Sequence, residues 1–133
     1  MRPSRRGRRA EMKSLQLAMI PDDENGAVLR AMVEDGDDLT IPREVDFHLV
    51  FGDEAAAAAF AEAAKQSTDL LVSVPAVDDE GIWQVTASRH MAPRHADITR
   101  VERELTVLAE SFGGYPDGWE CSRAAGPEDD AEA

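Results

Sequence analysis

At 133 residues the chain has room for one domain, and a core is within reach only if nearly every regular element joins it. Its net charge of −13 is unevenly spread: residues 1–14 carry six basic side chains against Glu11, so the remainder stands at −18. A body that acidic is repelled by nucleic-acid phosphate, which leaves basic protein segments or metal ions as partners and excludes direct nucleic-acid binding. The single cysteine, Cys121, rules out an internal disulfide and any zinc site of paired cysteines. No apolar run approaches the roughly 20 residues of a membrane span, and the basic start lacks the pattern of a secretory signal, so the chain reads as cytoplasmic.

In chain order, residues 1–20 read as a disordered basic arm, because RRGRR repels itself and has nothing to bury. From about Asp23 to Asp35, Val28, Leu29, Met32 and Val33 recur at helical spacing, with Asp22 or Asp23 as cap and Gly36 as stop. The segment 43–51 alternates strictly: Val45, Phe47, Leu49 and Phe51 fall on one face, Glu44, Asp46, His48 and Val50 on the other. Asp53 caps an alanine-rich helix over 54–66, whose small side chains suit close packing on a sheet. A second strand runs from Leu70 to Ala76, marked as an edge by Pro75.

After the acidic turn VDDEG, a third strand covers Ile82 to about Met91, with Trp83, Val85 and Ala87 on one side. A last helix is expected near Thr99, which with Glu102 has the spacing of a capping box, and to end at Gly113 and Gly114. Residues 118–122 form a short fourth strand with Trp119 and Cys121 inward, and 124–133 a disordered acidic tail. The domain at 21–123 is therefore α+β: a ferredoxin-like two-layer sandwich with a split βαβ order, an antiparallel four-stranded sheet and an extra N-terminal helix. Spatial order 4-1-3-2 makes the 43–51 strand central.

That topology gathers Asp46, His48, His90 and Glu120 on the face away from the helices, where carboxylates and imidazoles could share protons or hold a metal ion. Polar residues are equally expected on the wet face of a two-layer sheet, and the four lack the fixed spacing of a metal motif. The favoured reading is a partner-binding surface of Asp37, Asp38, Glu44, Asp46, His48, His90, Asp117 and Glu120, with no catalytic residue, metal or cofactor. A small enzyme or metal protein using Asp46, His48, His90 and Glu120 is the alternative, and an interaction domain with another kind of partner a further one. Cys121 points inward, and no G-x-S-x-G elbow, Walker loop or G-x-G-x-x-G is present. The acidic runs lack the spacing of a calcium loop. An RNA-binding sheet would need aromatic residues outward, whereas Phe47, Trp83 and Trp119 are placed inward.

EDG at 34–36, VDFHL at 45–49, LAESF at 108–112, DGWE at 117–120 and an acidic tail together resemble the ribonuclease E inhibitor family, also called regulator of ribonuclease activity B. The similarity spans about residues 27–123. It implies a small ferredoxin-like protein without catalysis that binds ribonuclease E and restrains RNA cleavage; with the acidic body, the expected partner is ribonuclease E or its basic tail. The family's acidic-x-His pattern falls on Asp46 and His48, and its tyrosine-aspartate-glycine-tryptophan motif on Tyr115, Asp117, Gly118 and Trp119. Pro116 interrupts that motif, the tail is shorter and less acidic than the family's, and the arginine arm has no counterpart there.

Overall fold

In a computed structural model, the structure describes residues 13–15 and 17–124. After helical residues at 13–15 and 17–19, the elements are α1 (Glu24–Glu34), β1 (Arg43–Phe51), α2 (Glu54–Ser67), β2 (Leu71–Val72), β3 (Ala76–Val77), β4 (Trp83–Met91), α3 (His95–Glu110) and β5 (Tyr115–Cys121). The antiparallel sheet has the order β2-β4-β1-β5, with β3 also paired to β4. This is the expected ferredoxin-like sandwich with an added helix, and β1 is central.

Local chemistry explains most boundaries. The Asp23 carboxylate accepts from the Gly26 amide to cap α1, and Asp53 accepts from Ala56 to cap α2. The β1 face of Val45, Phe47, Leu49 and Phe51 is buried, and the alanines of α2 let Phe60 reach it: the Phe51 and Phe60 rings lie 5.1 Å apart. Ile98, Val101, Leu105 and Ala109 on α3 and Val85 and Ala87 on β4 close the same core. At Gly114 a Cβ would come within 2.2 Å of the Phe51 ring, so the turn after α3 needs glycine for close approach.

Three boundaries differ from expectation. The helix α3 starts at His95, with Arg94 as N-cap and no side-chain cap bond, so Thr99 and Glu102 sit inside the helix and form no capping box. The second strand is broken into β2 and β3, because Pro75 cannot donate to the ladder and only Ser73 bridges to Thr86 in between. The strand β5 begins at Tyr115, not at residue 118, since Pro116 is tolerated on an edge strand.

A second, smaller core joins Ile20, Leu29, Val33 and Leu39, with Leu17, Met32 and Trp119 packed against it. Trp119 pairs with Phe47 across the ladder and touches both cores, so α1 lies beside α3 over the β5 edge, on the covered side of the sheet. Asn25 fixes that position: its amide donates to Thr99 Oγ1 (3.2 Å) and Glu102 Oε1 (3.1 Å), and its carbonyl accepts from Trp119 Nε1 (2.9 Å). His95 Nε2 adds a contact to Asp23 at 2.9 Å. Of the arm placed at 1–20, residues 1–12 and Gln16 lie outside the described residues, whereas Leu17 and Ile20 pack into the fold. The acidic tail beyond Ala124 also lies outside them.

Candidate partner-binding face

With α1, α2 and α3 all on one side, no other described helix covers the opposite face of β4, β1 and β5. Alternation sends Glu44, Asp46, His48 and Val50 outward from β1, and the antiparallel register sets them against His90, Ser88, Thr86 and Gln84 of β4. On the other flank Asp46 faces Glu120. Between Phe47 and Leu49 the β5 strand carries one extra residue, opposing Trp119 and Pro116, and Gly118 at φ 89° supplies the left-handed turn of that bulge. On the regular side of the bulge, Trp119 faces inward opposite Phe47 and its neighbour Glu120 outward opposite Asp46.

The polar groups on this face are held by one another. His48 Nδ1 lies 3.0 Å from Thr86 Oγ1 and its Nε2 lies 3.2 Å from Glu120 Oε1, so the ring bridges both neighbouring strands. Ser88 Oγ donates to Asp46 Oδ1 at 2.6 Å. Glu44, Asp46 and Glu120 line one shallow depression with Cys121 and Ser122. No lysine or arginine occupies an outward position of β1, β4 or β5 beside them, among the described residues. Arg89 falls on the inward alternation and pairs with Asp69.

Other expected members are placed differently. His90 sits opposite Glu44, is exposed and makes no bond to Asp46, His48 or Glu120. Among the described residues no three His, Cys, Asp or Glu side chains converge to hold a metal ion. Asp117 lies in the β5 bulge, and the Asp38 carboxylate accepts from the Thr40 amide and hydroxyl. Burial pushes the Cys121 thiol up, against the opposing pull of Arg43, so it is no ready nucleophile.

Asp37 is a correction. Its side chain is only 1% exposed, and both its oxygens accept from Arg43 Nη1 at 2.8 Å. The same guanidinium donates to the carbonyls of Ile41 (3.0 Å), Asp38 (2.6 Å) and Ser122 (3.1 Å), while the Asp38 amide donates to Ala124. Asp37 therefore staples the 36–42 turn to the exit of β5 and is not available to a partner. Arg43 and Asn25 are the structural residues that sequence reasoning missed. An arginine opening a strand just after a double aspartate was the one available sign of the first.

The sequence model of the family described as Regulator of ribonuclease activity B matches residues 22–121, three quarters of the chain. This chain belongs to that family. The match begins at Asp22, next to the capping residue of α1, and ends at Cys121, the last residue of β5, so it takes in α1 and the whole sheet. The family is one of non-catalytic regulators, and its description names a ribonuclease activity as what is regulated. A search of curated proteins returns no match. Among solved structures, a C-terminal segment of the alpha subunit of aIF2 from Pyrococcus abyssi is similar over 87% of this chain and 68% of that one, at 11% identity and a TM-score of 0.33. A score that low carries no argument for the regulator.

Proposed function

We propose that this regulator acts in the cytoplasm by binding a basic segment of a ribonuclease of the ribonuclease E type on its open sheet face, so restraining RNA cleavage. One observation carries the reading: three carboxylates, Glu44, Asp46 and Glu120, line one depression on a face to which β1, β4 and β5 contribute no lysine or arginine. The cation that balances them has to come from elsewhere. An arginine-rich segment laid along the strands would meet them in succession, and the charge of the whole body would speed its encounter. Exposed pairs of this kind are individually worth about 0–1 kcal/mol, so affinity comes from several acting together. Asp38, His90 and Asp117 remain at the rim, and Asp37 drops out.

The test is calorimetric titration with a ribonuclease E fragment that includes its basic tail, at ionic strengths from about 0.05 M to about 0.5 M, where the Debye length shrinks several-fold. Binding is expected at low salt and should weaken steeply as salt rises. The triple variant Glu44→Gln, Asp46→Asn, Glu120→Gln should weaken it about tenfold or more at low salt. No binding at low salt, or a triple variant that binds like the parent, refutes the reading.

A further inference from the structure

We infer that the β2–β3 edge of the sheet takes an additional strand from a partner protein: an extended, aliphatic segment carrying lysine or arginine at the end that meets Asp78–Glu80. This edge lies two strands from β1 in the order β2-β4-β1-β5, so the inference does not rest on the reading of Glu44, Asp46 and Glu120.

Among the described residues, β2 and β3 are bonded on one side only, to β4. Ser73 and Asp78 donate their amides inward, to the carbonyls of Thr86 and Ile82. Main-chain groups alternate in direction along an antiparallel strand, so Val72 and Val77, each one residue earlier, turn amide and carbonyl away from β4. Such an edge is a template for another strand, and natural sheets usually blunt it with charged side chains or proline. Here residues 70–77, LLVSVPAV, contain no charged side chain, and Pro75 is the one interruption. Leu71, Val74 and Val77 are 73%, 77% and 51% exposed, all within a strand length of about 26 Å. Leu71 shares the face of Ser88 and Val77 that of Trp83, so aliphatic groups flank the edge on both sides of the sheet. The alternating side chains of an added strand would meet both.

Charge selects the occupant. At one end of the edge Asp69 is answered by Arg89. At the other, Asp78 Oδ1 accepts from the amides of Glu80 and Ile82, which holds the turn, and Asp79 and Glu80 stay exposed with no ion pair to a described lysine or arginine. A second copy of the chain would bring its own charge of −13. Antiparallel two-fold pairing of 70–77 would also set Asp69 of each copy against Asp78 of the other, and like charges directly opposite are destabilising. A segment of opposite sign gains where a second copy loses. Main-chain bonds to the edge supply the affinity, and the terminal cation fixes which way the segment runs.

The probe is a peptide of alternating threonine and valine with two arginines at each end, titrated against the full-length chain and followed by amide NMR and hydrogen exchange. Shifts confined to β2, β3 and the facing residues of β4, with slowed exchange at Val72 and Val77, are the expected result. N-methylation of alternate central amides of the peptide should weaken binding about tenfold or more. Glutamate in place of its arginines should do the same. Val74→Lys, at an exposed position, should also weaken it about tenfold while leaving the urea midpoint in place. No binding at about 1 mM peptide, an N-methylated peptide that binds like the parent peptide, or shifts centred on Glu44, Asp46 and Glu120 overturns the inference. So does a chain that dimerises by sedimentation and is returned to a monomer by Val74→Lys, since the occupant is then a second copy. The triple variant Glu44→Gln, Asp46→Asn, Glu120→Gln should bind the peptide like the parent, so failure of the edge and failure of the polar face are read separately.

Discussion

The two faces of β1 are built from alternate residues of one nine-residue strand, yet they answer to different physics. Inward, Phe47 and Phe51 are almost wholly removed from water, and their contribution scales with apolar area and close packing. Outward, Glu44 is exposed and Asp46 and His48 are half-buried, held by hydroxyls and a carboxylate whose alternatives in water are nearly as good. The inner face should therefore set stability and be indifferent to salt. The polar part of the outer face, Glu44, Asp46 and His48, should set binding and be nearly invisible to a denaturation curve, whereas Val50 at the end of the same face is buried.

The sharpest way to break the contrast is Phe47→Ala, which opens a cavity between α2, α3 and the sheet and is expected to cost about 3–5 kcal/mol in urea unfolding. A loss under 1 kcal/mol would mean that the inner face is not the core. Asp37→Ala comes next, because it leaves the Arg43 guanidinium buried and uncompensated; about 3–5 kcal/mol is again expected, with Asp37→Leu/Arg43→Met recovering most of it. Asn25→Ala removes the bonds to Trp119, Thr99 and Glu102 and should cost about 1 kcal/mol.

A pH prediction concerns the same corner. The Gly26 amide, and then His95, hold the Asp23 carboxyl below its ordinary value. The charged form is thus favoured in the folded state, so its contribution is complete above the ordinary carboxylate range and is lost as pH falls through the lowered folded value. Asp23→Asn, which can still cap α1, should flatten that part of an acid-unfolding curve. The smallest effect on stability belongs to the outer face. The triple variant Glu44→Gln, Asp46→Asn, Glu120→Gln should stay within about 0.5 kcal/mol of the parent by urea melting while losing partner affinity.

What was legible in the sequence follows from how local its signal is. The alternation of β1, the Asp53 cap and the order of elements rest on neighbours within a few residues, and they gave the sandwich and its central strand. The start of α3 was missed because Thr99 and Glu102 match a capping box, while the apolar stripe runs back one more turn to Ile98. Their actual partner, Asn25, is more than seventy residues away, and no local pattern encodes it. The expected place of Asp37 on the partner-binding surface fails for the same reason. Its burial depends on the Arg43 guanidinium and on the β5 exit, where the Ala124 amide donates to the same carboxylate. The polar stripe of Glu44, Asp46 and His48 was readable from period two, but its depression needed the β1–β5 register, which a single bulge residue decides.

Trp119 has one further use. Its indole touches both hydrophobic clusters and donates to Asn25 on α1, while the other tryptophan, Trp83, pairs with Phe51 at the far end of β4. With Trp83→Phe the chain keeps a single indole emitter, seated at the seam between the sandwich and its extra helix. The wavelength of its emission then becomes an intrinsic optical gauge of whether that helix is docked, and any event that loosens α1 can be followed in real time without attaching a dye.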